Sequence, residues 1–170
     1  EQDLDAARPG AQGDYTILRY GLNYGVAFKS DWQARLRIDM QYTEDELIQG
    51  EQFGVGGWNS VRGFYEREFA SDRGSYGTLE LYTPNIGPWI TWSGIDTLRL
   101  LAFYDVGTLT RNNPAPGDTV HQSVSSAGVG LRASIKKNYS LRVDAGSVID
   151  GGGSQHPGDI LVHFGILASF

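Results

Sequence analysis

The sequence predicts an all-β protein whose antiparallel strands belong to a transmembrane β-barrel. Three observations support this prediction. Apolar and polar residues alternate along about seven segments, each segment is about ten residues or a little longer, and short connections alternate with long ones. A tilted strand needs about ten residues to cross the hydrocarbon layer of a membrane. Each segment is therefore long enough to span a bilayer.

The first two predicted strands show the alternation most clearly. From residue 16 to residue 28 one face is largely apolar and aromatic, and it consists of Thr16, Leu18, Tyr20, Leu22, Tyr24, Val26 and Phe28. After a short KSD turn, residues 32–43 place Trp, Ala, Leu, Ile, Met and Tyr on one face, and Gln, Arg, Asp and Thr on the other. A helix would mix arginine into that apolar stripe, because its period is 3.6 residues. Both segments are predicted as strands with one face toward lipid.

Five later segments repeat the pattern less cleanly, at 75–83, 97–109, 123–136, 139–149 and 160–170. The KSD and KKN turns at 29–31 and 136–138 are short, and the connection at 84–96 is intermediate. Three connections are long and rich in Gly, Pro, Asn and Asp, at 44–74, 110–122 and 150–159. Outer-membrane barrels have short periplasmic turns and long extracellular loops. We therefore expect residues 1–13 to be an extracellular loop or linker and residues 14–170 to be barrel, with 44–74 as a long re-entrant loop.

Composition and residue spacing exclude several classes of function. A formal charge of −6 with scattered basic residues argues against nucleic acid as a partner. No apolar window of about eighteen residues exists, which excludes a transmembrane helix. The chain has no cysteine, and its three histidines, predicted on two loops and one inward face, lack metal-ligand spacing. The glycine-rich stretch at 150–159 lacks the residues of a phosphate loop. We predict no catalysis, no cofactor and no metal.

A soluble β-sandwich is the alternative fold, because its strands also alternate apolar and polar residues. Sandwich strands are commonly shorter, with a mode of about five or six residues. Their outer faces also rarely place so many arginines opposite faces so rich in aromatic residues. The barrel is favoured for these two reasons.

Two motifs stand out from the alternating pattern. The first is VRGF, formed by Val61, Arg62, Gly63 and Phe64 within residues 51–76. The second is Phe-x-Asp-x-Gly, formed by Phe103, Asp105 and Gly107. Together they resemble the superfamily of outer-membrane assembly and secretion barrels. The segment 51–76 is most similar to two-partner secretion transporters, the TpsB proteins of the ShlB/FhaC/HecB type of haemolysin secretion/activation protein.

This resemblance implies a contact between Arg62 of the loop and Asp105 of the barrel wall. The face pattern agrees, because Leu98, Leu100, Ala102, Tyr104 and Val106 are predicted to face lipid, and Asp105 therefore points inward. A carboxylate that faced lipid would be very costly. The planar guanidinium of arginine holds a carboxylate through two charge-assisted hydrogen bonds. Glu80 lies on the inward face of the intervening strand, which makes it a candidate second partner for Arg62.

The flanking residues of the loop motif and the end of the chain carry further expectations. Gly63 lets the backbone turn tightly or approach the wall closely, and Phe64 can pack against that wall. The final segment, LVHFGILASF, ends in an aromatic residue. Such an ending resembles the sorting signal that the barrel-insertion machinery reads, with Phe164 and Phe170 as its aromatic residues.

The resemblance also implies a function and a location in the bacterial outer membrane. The expected activity is to secrete a large partner polypeptide, such as an adhesin, a haemolysin or a contact-dependent toxin. Outer-membrane lipid and the insertion machinery are the other expected partners. This segment is expected to supply the last seven or so strands of a barrel of roughly sixteen, with further strands and periplasmic polypeptide-binding domains ahead of it. An insertase of the same superfamily and a passive porin or surface barrel are the alternatives.

Overall fold

The computed structural model describes residues 8–90 and 94–169. Within these ranges it contains nine strands and one short 3₁₀ helix at Gly87–Trp89. The strands are β1 (Leu18–Ala27), β2 (Gln33–Tyr42), β3 (Phe53–Val55), β4 (Phe69–Ser71), β5 (Arg73–Tyr82), β6 (Ile95–Thr110), β7 (His121–Ile135), β8 (Tyr139–Asp150) and β9 (Ile160–Ala168).

Seven of these strands form one antiparallel sheet in the order β1-β2-β5-β6-β7-β8-β9. They correspond to the seven predicted strands, and their ends differ from the predicted ends by at most two residues. His121, predicted on a loop, is instead the first residue of β7. The sequence pattern does not reveal β3 and β4, because three-residue strands are too short to show a period.

Each short turn is closed by residues in the left-handed region of backbone conformation. Asp31 has φ of 63°, and Lys136 and Lys137 have φ of 50° and 60°. These turns bring consecutive strands together at one end of the sheet. The long connections leave from the other end, where Tyr42 pairs with Leu18 and Thr110 pairs with both Arg73 and His121.

The two faces of the sheet differ as predicted, and β6 shows the difference most clearly. Exposure alternates without a break from residue 100 to residue 109. The exposed positions are Leu100, Ala102, Tyr104, Val106 and Thr108, and the buried ones are Leu101, Phe103, Asp105, Gly107 and Leu109. Period-two pleating places these two sets on opposite faces. The inward assignment of Asp105 is therefore confirmed.

The outer face is apolar and uncovered. Leu22, Leu79, Tyr104 and Phe164 are 46% to 63% exposed, and Trp32 is 39% exposed. Among the described residues, no second sheet packs on this face, because β3 and β4 lie on the inner one. The sandwich alternative is therefore wrong. An exposed apolar face of this extent fits a lipid environment.

The hydrophobic core lies between the inner face and the connection from β2 to β5. This connection contains β3 and β4, which pair as a small hairpin. The main cluster of this core consists of Val55, Val61, Phe64, Tyr76, Leu109, Val124 and Val148, with Phe53 and Phe69 packed against it. The burial of these residues holds the connection on the inner face. In the described part of the chain, no helix is long and apolar enough to cross a membrane.

An arginine introduced on the outer face should destabilise the folded barrel far more than an arginine introduced at the next residue, which points to the inner face. Leu22 and Asn23 are neighbours near the middle of β1, and they point to opposite faces. Leu22→Arg should destabilise the folded barrel by about 2 to 4 kcal/mol, the cost of a cation at the bilayer midplane. Asn23→Arg should cost little. Folding into lipid vesicles under a urea gradient measures both, and equal stability of the two variants would contradict the assignment of faces.

Candidate functional site

Glycines and a serine shape the tip of the connection between β3 and β4. Gly56, Gly57 and Gly63 have φ of 112°, 96° and 99°, values that side chains rarely allow. The Ser60 hydroxyl accepts a hydrogen bond from the Gly56 N–H and donates one to the Gly56 carbonyl, both at 2.9 Å. The tip is thereby folded tightly enough to carry Arg62 to the sheet.

The buried Arg62 side chain binds the buried carboxylate of Asp105. Arg62 is 1% exposed and Asp105 is fully buried. The backbone N–H and Nε of Arg62 donate to Oδ2 of Asp105 at 3.0 and 2.7 Å, and Nη2 donates to Oδ1 at 2.8 Å. This is a two-pronged, charge-assisted contact with an added backbone hydrogen bond.

Further groups on the wall surround the same guanidinium. Nη1 of Arg62 donates to Oε1 of Glu80 at 2.7 Å and lies 3.5 Å from Oδ1 of Asp144. The guanidinium carbon stands 3.5 Å from the centre of the Phe103 ring, a cation–π arrangement. Burial alone would lower the pKa of Arg62, but the carboxylates of Asp105 and Glu80 outweigh it and raise that pKa. The arginine therefore stays charged while it is docked.

Two more arginines balance the charge of Asp144. Arg132 donates to both of its oxygens at 2.8 and 3.1 Å, and Arg142 donates to Oδ2 at 2.6 Å. Arg142 also donates to the Trp58 carbonyl at 2.5 Å, and its guanidinium carbon lies 4.9 Å from the centre of the Trp58 ring. The ionic network thus joins the loop tip to β5, β6, β7 and β8.

Glycines on the wall make room for the loop. A Cβ at Gly146 would lie 2.9 Å from the Arg62 carbonyl carbon and from the Gly63 nitrogen. A Cβ at Gly107 would lie 2.7 Å from Val55 Cγ1 and 3.2 Å from Val61 Cγ2. Real Cβ atoms do not tolerate contacts below 3.0 Å, so a side chain introduced at either glycine would push the loop away from the wall.

Apolar residues beside Arg62 seal the site. Val61 and Phe64 are fully buried, and the Phe64 ring meets the Phe69 ring edge to face at 5.4 Å between centres. A low-dielectric surrounding strengthens the hydrogen bonds of the ion pair inside it.

The structure brings the seven residues of the two motifs and Glu80 into one site. Phe164 lies elsewhere, 63% exposed on the outer face of β9. Phe170 and residues 1–7 fall outside the described residues, as do positions 91–93 of the connection at 84–96.

Sequence reasoning missed the parts that Asp144, Trp58 and Gly146 take in this site. The alternation places Asp144 inward, but a face assignment does not say which inward groups meet. Trp58 covers Gly165 of β9, where a Cβ would overlap the Trp58 ring. Glycine at an inward position was the available signal for close approach of the loop.

A second buried arginine–carboxylate pair lies at the base of the same connection, where Arg8 donates to both oxygens of Asp72. Asp72 also accepts the backbone N–H groups of Leu47 at 2.9 Å and Asn112 at 2.8 Å. Burial works against the ionised form of Asp72, but Arg8 and the two amides outweigh it and hold the pKa of this carboxyl below its usual 3.8.

Acid should therefore loosen the Asp72 site. A lowered pKa in the folded state gives stability that is complete above the usual value of 3.8 and is lost as the pH falls through the folded pKa. The amides of Leu47 and Asn112 should keep their protection from hydrogen exchange at pH 6 and lose it progressively as the pH falls below 3.8 and through the folded pKa of Asp72. Pulse labelling, corrected for intrinsic exchange rates, measures this. Protection that is unchanged at about pH 2 would contradict the expectation.

An antiparallel sheet with an exposed apolar outer face and a buried loop arginine on its inner face defines the fold class of this chain, part of a transmembrane-type β-barrel. The sequence model of the haemolysin secretion/activation protein family ShlB/FhaC/HecB matches residues 2–133, and the chain belongs to this family.

A solved structure shares the fold of the chain. CdiB from Acinetobacter baumannii superposes with a TM-score of 0.64 at 24% sequence identity, over 91% of this chain. The match covers 26% of the CdiB chain, so this chain spans about a quarter of the length of that protein. No curated protein matches the sequence.

Proposed function

We propose that this chain forms the C-terminal part of an outer-membrane pore that secretes a large partner polypeptide in two-partner secretion. The observation that carries the proposal is the buried contact of Arg62 with Asp105, within a chain of the ShlB/FhaC/HecB family. The partner is an adhesin, a haemolysin or a contact-dependent toxin. The barrel has roughly sixteen strands and lies in the bacterial outer membrane.

In this proposal residues 44–74 form a re-entrant extracellular loop, and the Arg62–Asp105 contact is a lock that sets the conformation of the barrel. Removing one partner of a buried ion pair costs about 3 to 5 kcal/mol, because the other charge remains buried without compensation. Undocking of the loop is therefore costly unless other groups compensate the charges of Arg62 and Asp105. Transport requires either that the loop stays docked as part of the wall, or that a conformational change supplies new partners for Asp105.

Space for a polypeptide supports the proposal. On the short-turn side of the loop tip, an open cavity of about 760 Å³ lies against the inner wall. Its lining includes the charged and aromatic side chains of Arg35, Trp58, Tyr82, Arg99, Arg132 and Arg142, together with the aliphatic residues Ala133, Leu141, Ile166 and Leu167. A polar, hydrated lumen suits an unfolded chain, whose backbone groups need hydrogen-bond partners until they fold outside.

Such a pore needs no catalytic group, since export of an unfolded chain breaks no covalent bond and folding outside makes the movement one-way. Arg62, Asp105 and Glu80 are conformational residues in this scheme. Phe164 and Phe170 belong to the signal for insertion into the membrane. Residues 1–13 are proposed as an extracellular loop or linker.

The test compares export of the partner polypeptide between cells that carry the complete protein and cells from which it is deleted. Transporters of this type are often encoded beside their exported partner, so a large polypeptide encoded next to this gene is the probe. We expect it to reach the medium when the complete protein is present, and to remain in the periplasm when the complete protein is deleted. Immunoblots of medium and periplasm measure this. Equal amounts in the medium of both strains would refute the proposed function, and a general loss of other outer-membrane barrels on deletion would indicate an insertase instead.

A further inference from the structure

The base of the loop is held by a group of residues separate from its tip. Arg8 and Asp72 are 6% and 0% exposed. They meet at the end of the sheet from which the long connections leave, because Asp72 directly precedes β5 and Asn112 follows β6 by two residues. This second group, formed by Arg8, Leu47, Asp72 and Asn112, is called the rim clasp below.

Arg8 and Asp72 bind the same two residues from opposite sides. Asp72 accepts the backbone N–H groups of Leu47 and Asn112, and Arg8 donates to their carbonyls at 2.8 and 2.9 Å. The ion pair therefore fixes two backbone segments that are far apart in sequence through both of their polar groups. Such a site is satisfied on every side, which is the condition for a stable buried ion pair.

Asn112 ties a further segment into the clasp. Its side-chain amide donates to the carbonyls of Thr43 at 3.1 Å and Asp45 at 3.0 Å. The residues after β2, the residue before β5, the residues after β6 and the N-terminal segment are thus joined at one point. None of the clasp residues touches Arg62, Glu80 or Asp105 through a hydrogen bond or an ion pair within the described structure.

We propose that Arg8 and Asp72 are positioning residues. They anchor the base of the loop to the end of the sheet from which the long connections leave, independently of the contact between Arg62 and Asp105 at the loop tip. The base of the loop is then fixed, and its tip can be released from the wall. Release of Arg62 from Asp105 lets the tip swing from the wall, while the clasp keeps the base and the connection after β6 together. This inference rests on the proposed function only for its role in transport, because the anchoring itself needs no partner polypeptide.

A buried alanine offers a direct test, since the chain contains no cysteine that would compete for a thiol reagent. Ala11 is 4% exposed and its N–H donates to the Arg8 carbonyl at 3.1 Å, whereas the adjacent Gln12 is exposed. Ala11→Cys should react slowly with a polar maleimide on the folded protein, and Gln12→Cys should react fast. The complete protein is used, in the membrane and without its partner, with any cysteine outside these 170 residues replaced by serine.

Loss of the clasp should expose the thiol introduced by Ala11→Cys, and loss of the tip lock should not. We expect Asp72→Asn or Arg8→Ala to raise the labelling rate of Ala11→Cys about tenfold, within the range of conformational couplings. Arg62→Ala should leave that rate unchanged, and so should Arg37→Ala, which removes a partly exposed ion pair with Asp39 at 2.6 Å. Gln12→Cys should react equally fast in every background.

Two results would overturn the proposal. One is an unchanged labelling rate of Ala11→Cys when Arg8→Ala or Asp72→Asn is added. The other is an equally large rise of that rate with Arg62→Ala, which would show that the base and the tip of the loop are not held independently. Heat-modified mobility in gels reports whether each variant is folded. If Asp72→Asn does not fold, Arg8→Ala carries the test, since Arg8 lies outside the strands. Because labelling is measured without the partner, failure here is distinct from failure of export.

Discussion

Arg62→Ala should strongly reduce export of the partner polypeptide while the barrel remains in the outer membrane. The substitution leaves Asp105 fully buried without the hydrogen bonds that the Arg62 side chain donates to it. We expect the docked loop to lose about 3 to 5 kcal/mol, more than about a hundredfold in its docking equilibrium. Secreted and membrane-bound protein are measured by immunoblotting of the same cultures.

Arg37→Ala is the matched control for this variant. Arg37 also lies on the inner face and binds a carboxylate, that of Asp39 at 2.6 Å, but its side chain is 44% exposed. Exposed ion pairs contribute about 0 to 1 kcal/mol, so export should be nearly unchanged. Export by Arg62→Ala at the level of the unmodified protein would contradict the proposed lock.

Adding Asp105→Asn to Arg62→Ala separates two effects of the first substitution. If Arg62→Ala lowers the amount of barrel because Asp105 is left charged and unpaired, neutralising Asp105 should restore that amount. Export should stay low in the double variant, since the contact between loop and wall is still missing. Full recovery of export would show that the contact itself is dispensable.

Gly146→Val should displace the loop tip without removing any charged group. The added Cβ would stand 2.9 Å from two backbone atoms of the tip, the Arg62 carbonyl carbon and the Gly63 nitrogen. Backbone cannot rotate aside as a side chain can, so we expect undocking at a cost of at least about 1 to 3 kcal/mol. Export should fall as in Arg62→Ala, and the amides at 61–64 should lose protection from hydrogen exchange.

Gly77→Val serves as the control for added volume in a strand. Gly77 faces outward on β5, and a Cβ there would meet its nearest neighbours at 3.8 Å, an ordinary contact. This variant should export normally and keep the tip protected. Normal export and normal protection in Gly146→Val would mean that the loop tolerates a displaced position, and the close approach at Gly146 would then have no functional weight.

Much of the fold could be read from the sequence because a sheet with one face in lipid repeats every two residues. That repeat located all seven strands of the main sheet and assigned opposite faces to Tyr104 and Asp105 on β6. The repeat carries no information inside the connection from β2 to β5, where β3 and β4 have three residues each. Their pairing depends on contacts with the wall, which no local pattern encodes.

The site was accessible from the sequence only in part, because two kinds of information were needed. The motifs and the face pattern together pointed to Arg62, Asp105 and Glu80. The place of Asp144 beside the same guanidinium depends on how β8 lies across the sheet from β5, with β6 and β7 between them in the sheet order. Arg8 could not be linked to Asp72 at all, since the two are 64 residues apart and neither stands in a repeating segment.

By itself, the sequence determined the seven strands of the main sheet and the face that each of their side chains occupies, and its resemblance to a known family identified the residues of the two motifs. The strands and their faces follow from strand pleating and from the cost of charge in lipid, both of which act on each residue locally. Only the tertiary structure decided that Arg62 meets three carboxylates, that glycines on the wall admit the loop, and that a second arginine holds its base. Those contacts join residues far apart in the chain, and the path of the backbone alone sets which inward groups come within hydrogen-bonding distance.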